Sequence, residues 1–184
     1  MFKGLTSRVN ALSKVSRISS FKTRKMIADG IVMSKLLYLI QWWGGGSAYL
    51  LQYLQVLQNR AARMVTKLSW STSTSKLLNQ LGWLSVKQLV EFHSLTLLFK
   101  MISQAKPAYF HDKLNTEFPY PTRLAAGNGL RRLETYQYDA TKMGFVHRTS
   151  VTWNLLPSNI IRTAETLTKF KKSLKPWIQK NVPI

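Results

Sequence analysis

A series of helical hydrophobic patterns in the first hundred residues most constrains what this chain can fold into. Between residues 48 and 68, apolar residues recur every three or four positions, the spacing of one face of an α-helix. These residues are Leu50, Leu54, Leu57, Ala61, Met64 and Leu68. A preceding helix is predicted from about 20 to 43, with Ser20 as its N-cap and Gly30 as a point of close packing inside it.

Turn and capping residues mark where the predicted helices end. Gly44–Gly46 ends the first of them, and Ser47 opens the next. A polar stretch then leads to a short helix at about 75–81, which Gly82 ends. The pattern therefore predicts several helices joined by short turns.

The helix predicted from 86 to about 104 differs from the others. Ser85 and Gln88, three residues apart, form a capping box at its start. Apolar residues lie on nearly all its sides, which indicates a central buried helix.

The second half of the chain has a weaker pattern. Residues 113–142 are predicted to be irregular, with one short β-hairpin left open, and a basic helix is predicted from about Ala164, with Pro176 stopping or kinking it. The fold class is therefore mainly α. Three regions are predicted: a helical domain at 1–106, an irregular linker at 107–143 and a basic helical region at 144–184 that packs on the first domain.

Charge narrows the class of partner. Twenty-seven Lys and Arg stand against seven Asp and Glu, so the formal net charge is 27 − 7 = +20. Such a basic chain is expected to bind polyanions. With 45% hydrophobic residues it can still bury a core, and without cysteine it has no disulfide, thiolate or zinc-finger chemistry. The longest apolar run, Ile31–Trp43, contains Lys35 and is too short to span a bilayer, so no membrane partner is predicted.

Catalytic and metal-binding patterns are weak. Polymerase-type chemistry needs converging carboxylates, but Asp29, Asp112 and Asp139 have no adjacent acid, and Asp29 is predicted to neutralise Lys25. The histidines have no ligand spacing, and His93 is interpreted as a half-buried core residue. We therefore predict no catalytic residue, no metal, no cofactor and no small-molecule substrate.

Binding chemistry is better represented. On the helix at 48–68, Arg60, Arg63 and Lys67 fall within about one sixth of a turn of each other. Gln58 and Asn59 lie beside them and can donate to phosphate or ribose oxygens. This ridge is predicted to follow a nucleic-acid backbone, and a solvated basic face is the alternative.

Other basic and aromatic residues complete the predicted nucleic-acid-binding set, namely Arg24, Lys25, Lys35, Trp70, Lys171, Lys172 and Lys175. The C-terminal lysines can equally serve solubility or nuclear import. Trp70, in a polar loop, is predicted to stack on bases. Trp42, Trp83 and Trp153 lie beside apolar neighbours at helix ends and are predicted to be core anchors.

Rare phrases also occur in a fixed order along the chain: SKLLY at 34–38 running into WGG at 43–45, LQNRAAR at 57–63, GWLSV at 82–86, WNLLP at 153–157 and FKKSLKPW at 170–177. Together they resemble the region downstream of the catalytic palm in non-LTR retrotransposon reverse transcriptases of the jockey-like and RTE-like type. The resemblance implies a helical thumb and a basic C-terminal tail of an RNA-directed DNA polymerase. In such a thumb Arg60, Arg63 and the basic residues of the first helix grip the template and primer. The palm, with its paired aspartates, is lacking.

Two other functions stay open. The first 25 or so residues contain no acid and several serines, as mitochondrial presequences do, although Leu5, Val9 and Leu12 fall on one helical face. The chain could thus be a basic structural protein of a ribonucleoprotein particle. It could also be a transposon remnant without selected activity. The resemblance implies a nuclear or cytoplasmic ribonucleoprotein location, with the mitochondrion as the alternative.

Overall fold

The computed structural model describes residues 2–104, 144–162 and 164–184. These residues are mainly helical, as the sequence predicts, and contain no strand. The hairpin left open within 113–142 lies outside the described residues, as do the predicted domain limits at 106 and 143.

The described helices follow one another with short connections. In chain order they are α1 (Phe2–Val15), α2 (Phe21–Ala28), a π-helical turn (Asp29–Met33), α3 (Ser34–Leu37), α4 (Ile40–Trp43), α5 (Ala48–Thr66), α6 (Thr74–Leu81), α7 (Val86–Gln104), α8 (Phe145–Asn154), α9 (Ser158–Arg162) and α10 (Leu167–Asn181). No helix of the described residues is both long and apolar enough to cross a bilayer.

The chain divides into two compact units. Unit 1 comprises Met1–Ile40, Gly46–Leu89 and Pro183–Ile184, and unit 2 comprises Gln41–Gly45 and Val90–Val182. The C-terminal helices thus share a unit with most of α7, which the sequence placed in the first domain.

Helix α5 is the centre of unit 1. It packs against α1, α2 and α6. Ser47 caps it, accepting a hydrogen bond from the Leu50 amide at 3.4 Å, as predicted. Fully buried apolar residues come from every one of these helices, including Leu5, Val9 and Leu12 of α1, Ala28 of α2, Leu54, Ala61 and Val65 of α5, and Leu77 of α6. The amphipathic face that could be interpreted as part of a presequence is therefore core of this unit.

The helix predicted at 20–43 is interrupted. Ser20 does cap it, but the chain leaves the helix at Tyr38, and Leu39 has a φ of 50°, the left-handed region that bulky residues avoid. Helical register is lost there. Trp42 is 82% exposed, so the prediction that it is a core anchor is wrong; in helical spacing it lies about 200° from the buried Ile40.

Gly30 does not mark close packing either. A side chain at this position would meet nothing within 4 Å. Gly82, by contrast, ends α6 at a φ of 68°, as predicted. The capping box before α7 also forms: the Ser85 amide donates to Gln88 Oε1 at 3.1 Å, and the Gln88 amide donates to Ser85 Oγ at 3.3 Å.

Unit 2 is built around α7 and α10. Phe99 and Phe170 stack with ring centroids 4.3 Å apart, and Trp153, 1% exposed, packs on Phe170. Leu95, Leu98, Leu174 and Ile178 fill the same core. The prediction that α7 is a buried helix is confirmed.

The last helix passes through its proline. Pro176 removes one backbone donor, yet α10 continues to Asn181, so the predicted stop does not occur. Leu174 and Ile178 on either side are fully buried and hold the helix in place. The lysines of α10 lie on its exposed side.

Candidate nucleic-acid interface

The predicted ridge on α5 is broken at its C-terminal end. Helix α5 ends at Thr66, and Lys67 is its C-cap in the left-handed conformation, with a φ of 57°. Lys67 is exposed but does not continue the helical row of Arg60 and Arg63. The prediction of one straight basic row is therefore wrong, because the helix is shorter than its hydrophobic pattern.

Arg63 and Trp70 form a stacked pair. The guanidinium carbon lies 4.4 Å from the centre of the indole ring, and Trp70 is 76% exposed. Arg63 Nη2 also donates to the carbonyls of Trp70 at 3.3 Å and Thr72 at 3.4 Å. Arg63 thus connects the loop before α6 to α5. The Trp70 ring that stacks on Arg63 remains largely exposed to solvent.

Arg60 faces α1. Its Nη2 donates to Asn10 Oδ1 at 3.5 Å, a long and exposed hydrogen bond. Because this contact is weak, Arg60 can exchange it for a phosphate oxygen at low cost.

Two predicted residues are structural. Arg24 is buried, and it donates to the Val65 carbonyl at 2.9 Å and to the Ser19 carbonyl. Gln58 is fully buried, and its Nε2 donates to the Leu84 carbonyl at 2.9 Å. Both side chains satisfy backbone acceptors between helices. Neither has free surface for a ligand.

Three further predicted residues have protein partners. Asn59 donates to Thr74 Oγ1 at 3.1 Å. Lys25 pairs with Asp29 at 2.8 Å, as predicted for this acid. The Lys35 ammonium lies 5.5 Å from the centre of the Tyr38 ring. These contacts leave Lys25 and Lys35 half-buried, at the edge of the basic surface.

Asp29 is the one acid among residues 1–89, against thirteen Lys and Arg. Its second carboxylate oxygen accepts a hydrogen bond from the Trp83 indole at 2.8 Å. Trp83 is 6% exposed, which confirms it as a core residue. Because Asp29 binds Lys25 and Trp83, the other cations of residues 1–89 have no second side-chain carboxylate within that segment to neutralise them.

Unit 2 holds the other predicted cluster. Lys171, Lys172 and Lys175 lie on the exposed side of α10. Burial lowers the pKa of His93, and the nearby charge of Lys171 lowers it further. His93 is half-buried, as predicted.

A half-buried ion pair in unit 2 was not predicted from the sequence. Arg148 lies 3.9 Å from Glu91 and donates to the Gln41 and Gly44 carbonyls and to Ser94, each at 3.4 Å. Burial raises the pKa of Glu91, although Arg148 and Thr152 oppose this. No spacing rule links these positions. Among the described residues, no cluster of three or more His, Asp or Glu is placed to hold a metal.

A groove between α1 and α5 was also missed. Its cavity volume is about 1090 Å³, and its lining includes Lys3, Lys14, Tyr49 and Tyr53. The four-residue spacing of the two tyrosines on one predicted helix is the signal that could have found it.

Comparison with protein-family models, with curated proteins and with solved structures finds no match for this chain. The resemblance to reverse-transcriptase thumbs is therefore carried by the phrases in the sequence, and it stays a prediction.

Proposed function

We propose that this chain is a non-catalytic nucleic-acid-binding protein, equivalent to the thumb and C-terminal region of a LINE-type reverse transcriptase. It binds RNA/DNA hybrid, or structured RNA, mainly through phosphate contacts. Polymerisation would need a palm on another polypeptide segment.

One observation carries the proposal. Residues 1–89 bear thirteen cations and a single acid, a formal charge of 13 − 1 = +12, and that acid already binds Lys25 and Trp83. Uncompensated charge on a folded surface is costly unless a polyanion neutralises it, and such binding releases counterions.

The arrangement of the cations supports phosphate contacts over base readout. Arg60 and Lys67 are within reach of solvent, whereas the two amides predicted to bind beside them, those of Gln58 and Asn59, are engaged by other groups of the protein. A protein with this surface reads backbone shape and charge more than sequence.

The test is equilibrium binding of the purified chain to an RNA/DNA primer-template hybrid, to double-stranded DNA and to heparin, over a range of salt concentrations. The variant is Arg60→Gln/Lys67→Gln. Its matched control is Lys100→Gln/Lys180→Gln, which removes two exposed lysines of equal charge from α7 and α10.

We expect the hybrid to bind more tightly than heparin, with a steep dependence on salt. The variant should reduce the slope of log affinity against log salt by about 1 to 2, since each lost phosphate contact removes about 0.9. The control should leave the slope unchanged. The proposal would be contradicted if all three polyanions bound equally and the variant and its control had the same salt dependence. The protein would then bind polyanions without preference.

A further inference from the structure

The groove between α1 and α5 has the composition of a site for an extended polyanion. Both helices belong to unit 1. We propose that this groove binds single-stranded nucleic acid, with phosphates on Lys3 and Lys14 and bases stacked on Tyr49 and Tyr53. The inference rests on the proposed function. It adds that one part of unit 1 prefers single-stranded to double-stranded nucleic acid.

The α1 side of the groove is a polar row. Lys3, Ser7, Asn10 and Lys14 follow one another at spacings of three or four, so they share one face of the helix. The two lysines are eleven positions apart, about 16 Å along the helix axis. Both are exposed. One strand lying along the row can therefore contact both ammonium groups with different phosphates.

The α5 side supplies the aromatic surface. Tyr49 and Tyr53 are one helical turn apart, about 6 Å along the axis. Tyr49 is 83% exposed, so its ring is open to a ligand from solvent. The Tyr53 hydroxyl is hydrogen-bonded to Thr6 Oγ1 at 3.1 Å, which holds its ring at the groove.

Stacking on these rings selects the strand form. A base stacked on an aromatic side chain gains about 1–3 kcal/mol, and only an unstacked base offers its face. Bases inside a duplex are already stacked on each other. The tyrosines thus favour single strands, whereas lysines alone accept any phosphate backbone.

A third cation lies at the rim. Arg60 donates to Asn10, which lines the groove, so its guanidinium is close to the same cavity. No acid lines the groove, and none occurs in residues 1–28. A bound anion would meet no carboxylate there.

The groove does not suit a membrane surface. An amphipathic helix binds lipid by inserting its apolar face. In α1 that face is Leu5, Val9 and Leu12, each at most 2% exposed because it packs in unit 1. At the groove itself, the exposed lining is mostly polar and aromatic, with Val15 as its exposed large aliphatic residue.

The experiment measures binding of a labelled oligothymidylate and of a blunt DNA duplex to the full chain. Three variants are compared with the wild type: Tyr49→Ala, Tyr49→Phe as the matched control that keeps the ring, and Lys3→Gln/Lys14→Gln. Because Tyr49 is mostly exposed, its replacement leaves the core intact, and the urea midpoint verifies this.

We expect Tyr49→Ala to weaken oligothymidylate binding by about 5- to 150-fold, the equivalent of one lost stacked base. Duplex affinity should not change. Tyr49→Phe should behave as the wild type. The double lysine variant should weaken oligothymidylate binding and flatten its salt dependence.

Three results would overturn the inference. In the first, Tyr49→Ala weakens neither ligand, or weakens both equally. In the second, Tyr49→Phe loses as much affinity as Tyr49→Ala, so that the hydroxyl and not the ring acts. In the third, phosphatidylserine vesicles displace the oligonucleotide in a Tyr49-dependent way. If one of these results is found while the RNA/DNA hybrid binds with a steep salt dependence, only the groove assignment is wrong. If, in addition, no nucleic acid binds more tightly than heparin, the proposed function is wrong as well.

Discussion

Each unit holds an arginine with little exposed surface, Arg24 buried in unit 1 and Arg148 half-buried in unit 2, and the two differ in their hydrogen-bond and charge partners. In unit 1, Arg24 donates to the carbonyls of Ser19 and Val65, and among the described residues it has no carboxylate partner. In unit 2, Arg148 also donates to carbonyls, yet Glu91 lies 3.9 Å from it. Asp29, the single acidic residue of residues 1–89, forms an ion pair with Lys25 and accepts a hydrogen bond from the Trp83 indole.

The difference shows how a strongly basic chain can still fold. Backbone carbonyls that a helix end leaves unpaired can accept from a guanidinium, which has five donors in a fixed fork. They satisfy its hydrogen bonds without cancelling its charge. Arg24 is therefore accommodated inside unit 1 without a carboxylate, and the unit keeps a strongly positive formal charge, which suits a binder of polyanions.

The largest expected effect comes from removing Arg24. Arg24→Met keeps most of the apolar stem but leaves the Val65 and Ser19 carbonyls without their donor. We expect a loss of about 2–3 kcal/mol in the free energy of unfolding. Urea titration followed by circular dichroism measures it. Lys22→Met, which replaces an exposed neighbour, is the control and should change little; an equal loss in both would refute the structural role of Arg24.

Removing Arg148 should cost less, about 1–2 kcal/mol, because its hydrogen bonds are long and its carboxylate partner is distant. Arg148→Met leaves Glu91 poorly solvated and without its positively charged neighbour, although Thr152 can still donate a hydrogen bond to it. The double variant Arg148→Met/Glu91→Gln should recover part of the loss, since a neutral amide is cheaper to bury. A double-mutant cycle with no coupling between the two positions would show that the carboxylate does not matter to Arg148.

Asp29→Asn tests the single acid of unit 1. The amide oxygen can still accept from Trp83, but the ion pair with Lys25 is lost. Both partners are partly exposed, so we expect a stability loss of about 0.5–1 kcal/mol. Affinity for polyanions should rise, because the formal charge increases by one. Unchanged or weaker hybrid binding in a folded variant would argue against charge as the driving force.

The smallest effect is a pH dependence in unit 2. The pKa of His93 is lowered, first by burial and then by Lys171, so the unfolded chain binds a proton more readily than the folded one. Stability is therefore fully present above the ordinary histidine pKa of about 6.5 and is lost as the pH falls through the folded value. His93→Gln should flatten this acid loss in urea titrations at several pH values. Glu91 acts in the opposite direction, since its pKa is raised; a greater acid loss in His93→Gln would contradict the assignment.

The helices of this protein are readable from its sequence because they depend on local rules. The capping box of Ser85 and Gln88 and the glycine stop at Gly82 involve neighbours within a few residues. The buried and exposed sides of α10 follow from periodicity alone. Trp83 and Trp153 were assigned to the core from their apolar neighbours.

The candidate site is less readable because its contacts are distant in sequence. Arg24 meets a carbonyl forty-one positions away, and Gln58 meets one twenty-six positions away. Residue type cannot distinguish such a buried donor from one that is free to bind phosphate. The break in the predicted helix at Leu39, whose φ is 50°, is likewise marked by no residue pattern.

The central claim is that unit 1 binds the polyanion through its uncompensated charge. Its most direct test compares two variants that each remove three cations: Lys14→Gln/Arg60→Gln/Lys67→Gln in unit 1 and Lys171→Gln/Lys172→Gln/Lys175→Gln in unit 2. Both variants lower the net charge by three. A difference between them in affinity for the RNA/DNA hybrid at fixed salt therefore shows which unit makes the phosphate contacts. We predict that the unit 1 variant loses about tenfold more affinity than the unit 2 variant. Equal losses, or a larger loss in the unit 2 variant, would contradict the account.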